Sequence, residues 1–343
     1  MNKLMTVENV DICCGLSWGD EAKGKLVTEL IRKKRYDFVC RWSGGSNAGH
    51  TVYFNGHKYH THIIPSGVFY GVSSVIGPDC YLNIEDFMNE ISYLNNHGFD
   101  TSIVKISPRT HIISNEHKEE DLLKYKEKQG TTGKGIAPCA RDKYGRVGKM
   151  FKDILEDNDI LKSYLWDEYL HGNVLCEGAQ GFWLDINYGN YPYITSSTTL
   201  PYSACSLGFP PQRIRDIYGA AKIYDTRVGI DPDFPDSLLE DTTLNEIALV
   251  GNEFGTTTGR ARKVNWLDTD RLIKAINISG CTHIIISKTD VLEKVGRFRI
   301  LNSDMEYRDL DELQKVINEI LMPSCPLLKR IVYSNSAEGI EDL

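Results

Sequence analysis

The sequence predicts an α/β fold, P-loop-like, with a mainly parallel central sheet flanked by helices, in a single domain over residues 1–343. Three observations predict it. Short apolar runs alternate with longer amphipathic ones. A Gly- and Lys-rich turn separates the first such run from the first helical pattern. The chain of 343 residues, 41% hydrophobic and 25% charged, is also long enough to bury a large core.

In chain order, "VDICCGL", "FVCRWS", "HIIPSG", "NVLCEG", "IYGAAKIYDT", "HIIISKTD" and "RIVYSN" read as strands. Residues 24–35 read as a helix because Leu26, Val27, Leu30 and Ile31 share one face. Further helices are expected at 84–96, 148–170, 269–278 and 310–321. The charged stretch 115–128 reads as a solvated helix face, and "QGTTGKGIAPCARDKYGR" at 129–146 as a long loop of the kind that carries function.

The net charge of −8 argues against a protein that coats nucleic acid, since phosphate backbones are held by surplus Lys and Arg. An anionic ligand must therefore meet a local basic cluster. Nine cysteines without a CxxC pair suggest free thiols in a reducing compartment rather than a zinc site or a disulfide framework. No segment approaches a membrane span and the N-terminus lacks a signal-like apolar stretch, so the expectation is a cytoplasmic protein with no membrane partner.

The chemistry concentrates in a few blocks. "WGDEAKGKL" at 18–26 has P-loop spacing from Gly19 onward, but Leu26 stands where a P-loop carries the magnesium-binding hydroxyl. A strand feeding this turn and then a helix puts backbone N–H groups and a helix N-terminus at one spot, which attracts phosphate. Lys23 and Lys25 add charge, while Gly19 and Gly24 let the backbone come close. By itself the stretch 19–25 reads nearly as well as a tight turn with solvated lysines. "RWSGGSNAGHT" at 41–51 then gathers glycines, an amide and His50 in a loop, where a protonatable group can reach a ligand.

Taken together, "WGDEAKGK" and "GGSNAGHT" resemble the opening of the adenylosuccinate synthetase family. The likeness continues in family order through "GTTGKGIAPCARDK", "EGAQGFWLDINYGNYPYITSS", "YDTRVG", "GNEFGTTTGRARKVNWLD" and "SKTD", from about residue 10 to 292. The resemblance implies a purine-biosynthetic ligase that joins IMP to L-aspartate at the expense of GTP, through a 6-phosphoryl intermediate, with Mg2+. It implies Asp20 as the base that takes the N1 proton and as a metal ligand, His50 as the group on the transferring phosphoryl, and the Gly49 carbonyl as a second metal ligand. A carboxylate suits the base role, because deprotonating N1 shifts electron density onto an otherwise poorly nucleophilic O6.

The same resemblance assigns Gly19, Glu21, Ala22, Lys23, Gly24 and Lys25 to GTP and its phosphates, with Lys288 and Asp290 on guanine. It assigns Asn47, Thr132, Gln180, Thr195 and Arg260 to the purine monophosphate, with Gln180 also near the 6-phosphoryl oxygen. Arg146 matches an arginine offered to the nucleotide phosphate by a second subunit, which implies a homodimer. Thr257, Thr258, Arg260 and Arg262 match the positions that bind the aspartate carboxylates, to which guanidinium forks are suited.

Several positions depart from the pattern. Ala22 and Ala137 replace glycines, Asn187 replaces an aspartate, Ala261 and Lys263 replace arginines, and "VGIDPDFP" carries an extra residue. The chain is also shorter than common forms between residues 146 and 173 and at the C-terminus. Shortened relatives include phage enzymes that act on dGMP and tend to carry a small hydroxyl residue where Asp20 stands, so Asp20 favours IMP over that alternative. The competing class, a GTP-binding module without ligase activity, explains "GDEAKGK" and "SKTD" but not "NAGHT", "EGAQG" or "TTTGRAR".

Overall fold

The computed structural model describes residues 6–254, 260–336, 338–340 and 343. Its centre is a sheet of eight strands: β1 (Thr6–Gly15), β2 (Phe38–Arg41), β3 (Ser73–Ile76), β4 (Val104–Ile106), β5 (His171–Glu177), β6 (Ile214–Lys222), β7 (His283–Ser287) and β8 (Arg330–Ser334). They lie in the order β8-β7-β6-β1-β5-β2-β3-β4, and every neighbouring pair is parallel.

A sheet of this kind is covered on both faces, so the middles of its strands place apolar residues on both sides rather than alternating with polar ones. Ile12 and Cys14 enter one core cluster while Cys13 between them enters another; Val174 and Cys176 divide from Leu175 in the same way, and Ile284 and Ile286 from Ile285. The second of these faces is covered by α1 (Lys23–Lys33), through Leu26, Val27 and Leu30. These three are part of the face expected from the sequence.

Most expected elements are present, and the helix at Ile84–Asn96 has the expected bounds. Asn83 caps it by accepting a hydrogen bond from the Asp86 N–H at 3.0 Å. Three expectations are overturned. "HIIPSG" is no strand: the N–H groups of His62, Ile63 and Ile64 all turn onto the Glu90 carboxylate, and a 3-10 turn follows at Ser66–Tyr70. Residues 148–170 are no single helix but two short turns, Phe151–Ile154 and Asp159–Ser163, because Asn158 restarts the chain by capping the Leu161 N–H at 3.0 Å. The loop expected at 129–146 ends at Gly135, after which Ile136–Gly145 is helical and buries Ile136, Cys139 and Ala140.

The parallel order makes one edge special. The segments that leave the carboxyl ends of six neighbouring strands, β8, β7, β6, β1, β5 and β2, all emerge on the same side. Ligands of open parallel sheets bind outside that edge.

Candidate active site

A cavity of about 730 Å³ lies along that edge. Running across the sheet, its wall takes Ser336 after β8, Lys288 and Asp290 after β7, Arg227 after β6, residues 18–20 and 22–25 after β1, Gln180 after β5, and residues 47–51 after β2. Thr132, Thr195, Arg260 and Arg262 complete the wall from loops further along the chain. Residues from Trp18 to Ser336 thus share one space because each hangs from the same end of a strand or packs beside one.

The turn after β1 is unusual in its backbone. Gly19, Asp20 and Ala22 all have positive φ, at 91°, 61° and 65°. What holds it is Glu21. Its Oε1 accepts the Ser17 and Gly19 N–H groups at 3.2 and 2.8 Å, and its Oε2 pairs with Lys23 Nζ at 2.6 Å. Glu21 is buried and does not line the cavity, so the structure does not place it among the phosphate contacts expected from the sequence. It folds the loop from beneath, and that leaves Asp20 facing the cavity.

Ala22 is the N-cap of α1 and offers no side-chain cap, and the first turn carries no acidic residue. The free N–H groups of that turn are therefore available to an anion. An alanine at φ 65° carries a steric cost that glycine does not. Ala22→Gly is expected to stabilise the protein by about 1 kcal/mol, read as a higher denaturant midpoint with an unchanged slope; an unchanged or lower midpoint would contradict this. Gly24, in contrast, cannot be replaced cheaply, since a Cβ there would sit 2.7 Å from the Thr51 carbonyl. That contact seats the hairpin His50–Phe54/His57–Thr61 on α1 and brings His50 to the turn.

His50 is buried, and its Nδ1 makes a short hydrogen bond to Oε1 of Glu177, the last residue of β5. Glu177 also accepts the Ser66 N–H at 2.7 Å and the Ser66 hydroxyl at 2.8 Å. Burial alone would raise the Glu177 pKa, but His50, Arg41 and the Ser66 N–H outweigh it and hold the carboxyl down at about 2. An ionised carboxylate only accepts, so Nδ1 carries the proton and directs the other ring nitrogen away. That nitrogen, Nε2, is buried and has no hydrogen-bond partner among the described residues. Burial, and then the charge of Arg41, lower the imidazole pKa.

Gln180 stands at φ 54° and donates from Nε2 to Asn47 Oδ1 at 3.3 Å, while its Oε1 is buried and unpartnered among the described residues. One polar atom from the hairpin and one from the loop after β5 thus lie beside the cavity unsatisfied among the described residues, which is costly unless a ligand completes them. Lys288 likewise has positive φ, 69°, and donates to the Gly251 carbonyl at 2.6 Å. Lys25 donates at 2.8 Å to both Ser334 Oγ and the Ser336 carbonyl, tying the phosphate turn to the segment after β8.

On the other side of Asp20 lies Arg262, whose Nε and Nη2 each approach Asp20 Oδ2 at 3.0 Å. Arg146 lies elsewhere. It is exposed at the end of the helix Ile136–Gly145 and does not line the cavity of its own chain. Thr257 and Thr258 lie outside the described residues. Residues that sequence reasoning missed are Glu177, Glu253 and Arg227; all three sit within the blocks "EGAQG", "GNEFG" and "YDTRVG", but nothing in one sequence distinguishes a buried carboxylate that orients a ligand group from one that does not.

The parallel edge, the open helix N-terminus, the unpartnered imidazole nitrogen and a carboxylate held by an arginine define a nucleotide-dependent group-transfer enzyme. The chain belongs to the adenylosuccinate synthetase family, whose model matches residues 12–171 and 161–315. It is 36% identical to the adenylosuccinate synthetase of Shouchella clausii, over 90% of this chain and 83% of that protein. It is 39% identical to that of Bacteroides fragilis, over 83% of this chain and 78% of that one. The fold is that of the fully ligated Plasmodium falciparum adenylosuccinate synthetase, with TM-score 0.78 and 24% identity over 97% of this chain and 100% of that chain. It is likewise that of the cyanophage S-2L succinoaminodeoxyadenylate synthetase bound to dGMP and dATP, with TM-score 0.75 and 17% identity over 97% and 94%. The chain is therefore a GTP-dependent ligase of purine biosynthesis, and the reading as a GTP-binding module without ligase activity is set aside. No helix among the described residues is long and apolar enough to cross a membrane.

Proposed function

We propose that the chain condenses IMP with L-aspartate, using GTP, in two steps within this cavity. Asp20 takes the proton from purine N1, O6 attacks the γ-phosphorus of GTP and displaces GDP, and the aspartate amine then displaces phosphate from C6, losing a proton, to give adenylosuccinate. The observation that carries this reading is the order of groups along the sheet edge. Lys288 and Asp290 stand at one end for the donor base, the turn 19–25 lies in the middle for its phosphates, and Asn47 and Gln180 stand at the other end for the acceptor.

Phosphoryl transfer asks a protein mainly for positioning and charge. As negative charge develops on the transferring group, His50 Nε2 gains affinity for a proton and can donate a hydrogen bond there, with Glu177 balancing the imidazolium. The Gln180 amide lies beside the 6-oxygen. Arg262 and Arg260, with Thr257 and Thr258, receive the aspartate carboxylates, and Thr132 and Thr195 the acceptor nucleotide.

Magnesium fits these residues. It takes few protein ligands and completes its shell with phosphate oxygens and water, and the cavity offers the Asp20 carboxylate and the Gly49 carbonyl as oxygen donors. Bound there, the ion would neutralise charge on the donor phosphates. The active unit is a homodimer in this reading, with Arg146 reaching the acceptor phosphate of the neighbouring subunit. Tyr144 and Val147, 75% and 74% exposed on either side of it, supply apolar area for the contact. Sedimentation at assay concentration should show a dimer, and a monomer with full activity would contradict it.

The substrate is tested by phosphate release with GTP and aspartate and either IMP, GMP or dGMP in parallel. Turnover with IMP is expected. Strong turnover with dGMP and none with IMP would overturn the proposal in favour of the diaminopurine-type reaction.

A further inference from the structure

Beneath the cavity wall, one carboxylate gathers the groups that the reaction needs to keep in step. Glu253 is 1% exposed and does not line the cavity. Its Oε2 accepts Arg262 Nη1 at 2.5 Å and Lys222 Nζ at 2.8 Å, and its Oε1 accepts the Tyr224 hydroxyl at 2.7 Å and lies 3.8 Å from Lys288 Nζ. The Glu253 backbone carbonyl also accepts the Arg262 N–H at 3.0 Å. Arg262 then reaches Asp20 with its remaining edge. A buried cluster of this kind is a poor device for stability, since apolar residues of similar volume do as well or better. What it does specify is the relative position of its members.

We infer that Glu253 is a positioning residue that couples the donor-base end of the cavity to the acceptor chemistry. It fixes Arg262 between Asp20 and the incoming aspartate carboxylate while holding Lys288 in register. This inference rests on the proposed reading of the cavity. Lys222 and Arg262 are both cations on one oxygen, so without the carboxylate they repel, and the guanidinium leaves the place where it meets Asp20. Burial would raise the Glu253 pKa, but Lys222, Arg262 and Lys288 hold it down at about 2, which keeps the hub charged throughout the neutral range.

The test is steady-state kinetics of the full chain carrying Glu253→Gln, with aspartate, GTP and IMP varied in turn. The KM for aspartate should rise about 10-fold and that for GTP should rise in parallel, with the KM for IMP nearly unchanged. A variant that is folded and loses kcat with all three KM values unchanged would overturn the inference, since that is how a merely structural residue behaves. If Glu253→Gln does not fold, Tyr224→Phe removes one hydrogen bond from the same carboxylate and keeps every charge. It should move the aspartate and GTP KM values in the same direction, and no movement would overturn the inference. If the wild type itself turns over none of these substrates, the functional reading fails separately. The coupling is then read from a crystal structure of Glu253→Gln, in which Arg262 drawn away from Asp20 supports it and both 3.0 Å contacts retained refutes it.

Discussion

Asp20→Asn is expected to lower kcat about 1,000-fold or more while leaving the fold intact. The base is lost because an amide does not take the N1 proton, and the partner of Arg262 becomes neutral. The backbone at φ 61° is kept, since asparagine tolerates the left-handed region as aspartate does. The Asp20 side chain is only partly buried and sits above the Glu21 brace rather than within it, so little stability depends on it. The check is to measure phosphate release and urea unfolding on the same preparation. A loss of turnover explained by a collapsed midpoint would remove Asp20 from the chemistry.

Glu177→Gln should damage both stability and rate. The residue is fully buried and its oxygens take His50, the Ser66 N–H and the Ser66 hydroxyl. A glutamine must turn an NH2 toward one of these donors, and the positive field of Arg41 loses its nearby counter-charge. Breaking one side of a buried charge pair costs about 3 kcal/mol, and His50 loses the acceptor that fixes its tautomer. The rate should fall by about 100-fold as the imidazole loses its orientation.

The pH dependence follows with a definite sign. Glu177 and Glu253 are both held at about 2 in the folded protein, below the ordinary glutamate value of 4.5. The stability they contribute is complete above pH 4.5 and is lost as pH falls from there toward 2. Urea midpoints measured over that window should drop more steeply for wild type than for Glu177→Gln, and parallel curves would contradict the assignment.

The fold was readable where its signals are local. β1, the turn and α1 follow from an apolar run, spaced glycines and one apolar helix face. Strands β3 and β4 were not readable, because Ser73, Ser74 and Lys105 cut their apolar runs to one or two residues, and their partner strands supply the reason they are extended. Residues 62–64 look like a strand from their side chains alone, yet their amides are claimed by Glu90, which lies 26 to 28 positions away.

The site divides in the same way. His50 and the Asn47 amide stood out because their glycine-rich loop is not explained by burial, whereas Asp20, Gln180, Lys288 and Arg262 were placed by the resemblance of their blocks to a family pattern. Glu21 was assigned to the phosphates by the same resemblance, and only the folded turn shows its carboxylate pointing inward. Glu177 and Glu253 act through other side chains across the sheet edge, so no local pattern reveals them. Ala22 stands where the family pattern has a glycine, and the folded turn shows what a glycine would serve there: the position has a φ of 65°.

In the proposed reaction the 6-oxygen of the acceptor purine, activated by Asp20 and met by His50 as phosphate arrives, leaves as part of the phosphate. Turnover of IMP carrying a heavy-oxygen label at the 6-position, followed by mass analysis of the released phosphate, tests it directly. One labelled oxygen is expected in each phosphate formed by the wild type. Unlabelled phosphate accompanying adenylosuccinate would contradict it.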